Sequence, residues 1–110
     1  MALHQKATDE KSKVTRKQGG LVVKTLRSIN KLTQRALAEK AGLEYYTFIS
    51  QIESGVGKIP PQKLKAFADA LGCNPKKFTR ELMKFYDPDT FEVLFETSRE
   101  EPTDYTDLMA

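Results

Sequence analysis

Between Gly42 and Gly55 the chain carries Tyr45, Tyr46, Thr47, Ser50 and Gln51, side chains that donate and accept hydrogen bonds without ionising near neutral pH. In the same stretch Ile49 and Ile52 sit three apart, the spacing of one helix face. A short helix that turns two isoleucines inward presents the others outward. Tyr, Thr, Ser and Gln are the kinds of side chain that read base edges in a major groove. A plain helical bundle with a polar face carries the same pattern, and periodicity alone does not separate the two.

Other chemistries find little support. One cysteine, Cys73, leaves no intrachain disulfide, and with one histidine, His4, it argues against a structural zinc site within one chain. No glycine-rich phosphate loop and no nucleophile with an evident base stand in the chain, so it does not read as an enzyme, and no metal or cofactor is expected. His4 reads as a solvated residue of a polar segment and Cys73 as a packing residue. Sparse cysteine fits a reducing, cytoplasmic setting.

The elements that would position these side chains come from 110 residues, one domain with a tail. An apolar content of 39% supports a modest core of Leu, Ile, Val and Phe. The longest apolar stretches span a few residues, too short for a membrane span, and the first twenty residues lack the apolar run of a secretory signal. Charge is strongly polarised. Residues 1–40 hold ten Lys or Arg and three Asp or Glu, a surplus of +7, whereas residues 87–110 hold one and eight, a deficit of −7. A basic front points to an anionic partner.

The polar, mostly basic residues 1–18 show no period and read as a flexible arm that ends at Gly19-Gly20. Val22, Leu26 and Ile29 then mark one helix face. Thr33 caps a short helix, Gln34 to Ala41, with Leu37, Ala38 and Ala41 inward and Gly42 as its stop. A third helix runs from about Tyr45 to Ser54, ended by Gly55. Residues 55–61 form a loop, and Leu64, Phe67, Ala68 and Leu71 give the clearest amphipathic helix. Asn74-Pro75 and Asp87-Pro88 open two more helices, the second carrying Phe91, Leu94 and Phe95. Residues 97–110 are polar and acidic and read as disordered. No strand pattern competes, so the fold class is all-α.

Two short helices joined by a tight turn, Thr33 to Gly42 and Tyr45 to Gly55, are the informative unit. Residues 22–72 resemble the phage-repressor/Cro (XRE) family of helix-turn-helix domains. The matching residues are Leu26-Arg27, Leu32-Thr33-Gln34, Leu37-Ala38, Gly42, Ile49 to Glu53, Gly55, Pro60, Leu64, Ala68 and Leu71-Gly72. The resemblance implies a five-helix domain over residues 19–73 whose third helix enters the major groove, usually as a homodimer on operator DNA. One departure stands out. Gly42 to Ile49 is seven residues where the family typically has six. The extra residue either lengthens the turn or extends the start of the recognition helix.

What the resemblance implies for individual residues is as follows. Tyr46, Thr47 and Gln51 match positions facing base edges, where Gln pairs with adenine and the Thr methyl meets thymine. Gln34, Tyr45, Ser50 and Lys58 match phosphate contacts. Either tyrosine hydroxyl bonds a phosphate, or one ring is partly buried in the turn. Arg27 and Glu53 match a buried or half-buried salt bridge that orients the recognition helix.

Residues 74–96 extend past the usual domain. Phe91, Leu94 and Phe95 are too apolar for a free surface, so they make a homodimer interface, complete the monomer core, or do both. The basic arm either reaches the duplex or solubilises the chain. The acidic tail is expected to stay off DNA, with RNA polymerase or a protein partner as its target. The expected function is a homodimeric repressor of double-stranded DNA, cytoplasmic and without a membrane. The alternative is the antitoxin of a toxin–antitoxin pair, which would bind a toxin through the C-terminal segment.

Overall fold

Local capping signals open four of the helices. Thr33 Oγ1 accepts from the Ala36 N–H at 3.0 Å and starts α2 (Gln34–Lys40). Asn74 accepts from the Lys76 and Lys77 N–H groups ahead of α5 (Pro75–Tyr86), with proline at the first helical position. Asp87 accepts from Thr90 to start α6 (Pro88–Phe95), and Asp104 accepts from Asp107 to start α7 (Tyr105–Leu108). The computed structural model describes residues 2–110, with side chains from Glu10 onward. The remaining helices are α1 (Ala2–Ile29), α3 (Thr47–Ser54) and α4 (Leu64–Ala70). Among the described residues there is no strand, and no helix is long and apolar enough to cross a membrane.

The core gathers one face from each helix. Val22, Val23 and Leu26 of α1 meet Leu37 and Ala38 of α2, Ile49 and Ile52 of α3, Phe67 of α4, and Phe78 and Leu82 of α5. Leu26, Ile49, Ile52 and Phe67 are fully buried, each burial worth about 1.5–3 kcal/mol relative to exposure. Ile29, expected on the inward face of α1, lies half exposed instead. Val23 takes its place, because the core spans two adjacent rows of the helix. Cys73 is buried, as a packing residue would be.

Two expectations of disorder are overturned. Where the sequence suggests a flexible arm over residues 1–18, α1 runs unbroken from Ala2 through Gly19-Gly20 to Ile29. His4, Lys6 and Asp9 lie outside the described side chains. The glycines sit inside the helix, each costing about 1 kcal/mol against alanine, because neighbours crowd them. A β-carbon on Gly20 would lie 2.4 Å from the carbonyl oxygens of Ile52 and Glu53. Arg16 then fastens the extra turns by donating from Nε to the Gly55 carbonyl at 3.1 Å.

The acidic tail is folded as well. Lys84, only 5% exposed, donates to Glu81 Oε2 at 2.9 Å and to the Glu101 carbonyl at 2.7 Å. Thr103 donates to the same Glu81 oxygen, and the Asn74 N–H donates to the Leu108 carbonyl. Leu108 is buried, and Lys77 pairs with Asp107 at 3.2 Å. Leu108, with Tyr105 packed against the core beside it, and two lysines of α5 thus hold an otherwise polar segment, a non-local match that composition does not reveal.

Candidate nucleic-acid interface

The α2–α3 unit is held by one carboxylate. Glu53, near the end of α3, accepts from Arg27 Nε at 2.6 Å and Nη2 at 3.1 Å. Its Oε1 also accepts from Gln34 Nε2 at 3.1 Å. Arg27 Nη1 donates to the Leu32 carbonyl at 2.9 Å. The side chains of Arg27 and Glu53 are 15% and 5% exposed. The hydrogen bond to Glu53 raises the pKa of the guanidinium, against the opposing effect of desolvation. A bidentate, partly buried fork of this kind fixes direction as well as distance. It ties α1, α2 and α3 into one unit.

On that support α3 turns Ile49 and Ile52 inward and leaves Thr47, Ser50, Gln51 and Ser54 exposed. Gly55 ends the helix at φ 84°, a conformation that suits glycine. Gly55 also touches the Lys17 backbone of α1, so a side chain there meets a second obstacle. Lys58 follows in an exposed loop, its Nζ 5.8 Å from the centre of the Tyr86 ring. Its neighbour Ile59 donates its N–H to the Tyr86 hydroxyl at 3.5 Å.

The extra residue lies in the turn. Leu43 N–H closes onto the Ala38 carbonyl at 2.8 Å, and α3 begins only at Thr47, two residues later than the sequence pattern suggests. Tyr45 and Tyr46 therefore stand in the turn, 67% and 45% exposed. The Tyr46 ring is not free: the Arg35 guanidinium stacks on it at 4.7 Å. Sequence reasoning missed Arg35. Its place in the first turn of α2, beside Gln34, was the available signal. It also missed Arg16, whose partner is a backbone carbonyl 39 residues away.

The expected dimerisation stripe divides. Phe91 is 1% exposed and stacks on Phe95 at 5.2 Å, so it fills the chain's own interior. Leu94 is 60% exposed beside Val93. Phe95 is half-buried under Arg80, whose guanidinium lies 4.8 Å from the ring centre.

Two short helices joined by a turn, with the second presenting a polar face on a bundle of supporting helices, define a helix-turn-helix DNA-binding domain. The helix-turn-helix family model matches residues 23–78, half of the chain, and the protein belongs to this XRE/Cro-C1-type family. No curated protein and no solved structure matches the chain. The family makes it a DNA-binding transcription regulator of the XRE type. The family is one of regulatory DNA-binding domains, not of enzymes.

Proposed function

We propose that the protein is a repressor that binds a palindromic operator as a homodimer, with α3 in the major groove. The observation that carries this reading is the exposed row Thr47, Ser50 and Gln51 on a helix braced by the Arg27–Glu53–Gln34 cluster. Neutral amide and hydroxyl groups discriminate bases, and a fixed helix axis lets them do so. Cations flank the row: Arg35 on one side of the turn and Lys58 in the following loop. Among the described residues neither belongs to an ion pair, so both are available for phosphates. In this reading Tyr46, Thr47 and Gln51 meet bases. Tyr45, Ser50 and Lys58 meet phosphates. One N–H of the Gln34 amide is spent on Glu53, which leaves the second for a phosphate oxygen.

Dimerisation through α5 and α6 is supported by self-complementary chemistry. Met83 and Phe95 floor a groove rimmed by Lys76, Lys77 and Arg80. Beside it α6 exposes Val93 and Leu94 and carries Asp89 and Glu92, with Glu96 directly after. A two-fold arrangement lays the acidic, apolar α6 of each copy across the basic, apolar groove of the other.

Selection from a random double-stranded DNA pool tests the reading. The expected product is an inverted repeat with half-site centres about 34 Å, one helical turn, apart. A pool that shows no enrichment overturns sequence-specific binding. An enriched site without symmetry overturns the homodimer.

A further inference from the structure

One polar recess is lined by none of the exposed α3 residues Thr47, Ser50 and Gln51. The N-terminal half of α1, the Lys58 loop, the end of α5, the start of α6 and Arg99 of the segment after α6 line an open recess of about 330 Å³. Lys11, Arg16, Lys58 and Arg99 line it, against a single carboxylate, Asp89. Such an excess of like charge around a small volume repels itself unless an anion sits among it.

The four cations are poorly neutralised by the protein. Lys11, Arg16 and Lys58 take part in none of the ion pairs among the described residues. Arg16 spends Nε on the Gly55 carbonyl, which leaves its two Nη groups. Arg99 reaches Glu92 at 3.3 Å, but both side chains are at least a third exposed, and such surface bridges hold weakly. Ser12, Thr15 and Tyr86 add hydroxyls. The Tyr86 oxygen accepts from the Ile59 N–H, which leaves the phenol proton to donate in a hydrogen bond. Pro88 and the Tyr86 ring supply an apolar wall, and Asp89 can accept hydrogen bonds from uncharged hydroxyls while repelling a second anionic group.

We propose that this recess binds a small phosphorylated sugar, with the phosphate among Lys11, Arg16, Lys58 and Arg99 and the sugar hydroxyls toward Asp89. The volume lies at the small end of ligand sites, which suits a ligand of this class. Lys58 is shared with the DNA reading given above. On that reading, and only for this consequence, ligand and operator compete.

Calorimetry on the full chain without DNA, at about 0.15 M salt, tests the site itself. The probes are ribose 5-phosphate and inorganic pyrophosphate, with ribose as control. Saturable binding of one ribose 5-phosphate per chain is expected. The Lys11→Gln, Arg99→Gln double variant should weaken it about tenfold or more. Lys13→Gln, on the same helix but outside the recess, should leave it within about twofold. Amide shifts on titration should centre on Thr15, Lys58 and Arg99, which keeps the test decisive even if a variant folds poorly. No saturable binding of ribose 5-phosphate, whether or not pyrophosphate binds, or shifts centred on α3, overturns the proposal. So does a double variant that weakens DNA binding while wild-type protein ignores both probes, because the recess is then a contact for the DNA backbone. Ribose 5-phosphate that binds without displacing operator leaves the site standing and removes only the DNA role of Lys58.

Discussion

Gly20 of α1 and Glu53 of α3 meet backbone to backbone, with space for a hydrogen and not for a methyl group: an added β-carbon would stand 2.4 Å from the Glu53 carbonyl oxygen. This contact places α1 directly across the end of the recognition helix. Gly20→Ala should destabilise the fold by about 1–3 kcal/mol through overpacking, despite the helix propensity gained. Gly19→Ala faces mainly the Tyr86 ring, at 2.9 Å, and should cost less. Gly57→Ala meets nothing closer than 3.7 Å and should be neutral or slightly stabilising. Denaturant midpoints for the three variants check this order.

The Arg27–Glu53 fork gives the second prediction. Arg27→Met strands a carboxylate that is only 5% exposed. The expected loss is about 3 kcal/mol, because an uncompensated buried charge costs far more than an exposed one. Gln34→Ala removes one hydrogen bond to that carboxylate and should cost about 1–2 kcal/mol. Thermal melts read both effects, and equal melting temperatures for wild type and Arg27→Met would contradict the burial.

Base reading and phosphate contact should separate in binding data. Gln51→Ala should lose about 1–3 kcal/mol on the selected site and relax the preference at one base position. Lys58→Ala should weaken all sequences alike and lower the slope of log affinity against log salt by about 1. Titrations at several salt concentrations, on the selected and a scrambled duplex, distinguish the two.

The exposed pair Val93 and Leu94 carries the assembly prediction. Leu94→Glu should leave the melting temperature near that of the wild type, because Leu94 is 60% exposed. In sedimentation velocity it should shift the protein toward monomer. Phe91→Ala should behave differently and cost about 3–5 kcal/mol of stability, because its ring is fully buried.

Cys73 makes the fold sensitive to alkali. Burial pushes its thiol up from an ordinary 9.0 to about 11. The native state therefore holds the proton after the unfolded state has lost it. This contribution is flat below the ordinary value and is lost as pH rises from about 9 toward 11. Cys73→Ala should lose less stability than wild type between about pH 9 and pH 11, measured by urea denaturation at each pH.

The legible parts of this molecule are those whose causes are local. Thr33, Asn74 and Asp87 announce their helices because a cap is made within three residues. The polar face of α3 follows from Ile49 and Ile52, since burying one side of a helix exposes the other. Gly19-Gly20 misleads because glycine is usually read as a break, whereas here it answers to Glu53, 33 positions along the chain. The tail misleads for the same reason: Leu108 and the acids around it find their place only once α5 offers Lys77 and Lys84. Arg35 has a clear place in the sequence, but its stacking on Tyr46 depends on the length of the turn.

The brevity of the reading unit has a kinetic consequence. Helices α2, α3 and α4 have 7, 8 and 7 residues. Helices this short do not persist alone in water, and their stability comes from their neighbours. The recognition helix is therefore expected to open largely together with the bundle that supports it, so its hydrogen-bonded amides near Ile52 should exchange mainly through that opening. Protection factors in α3 should then match those of Leu26 and Phe67 in the core. An operator that binds only the native bundle should therefore slow exchange at those distant sites as well as in α3, coupling DNA binding to the stability of the whole core.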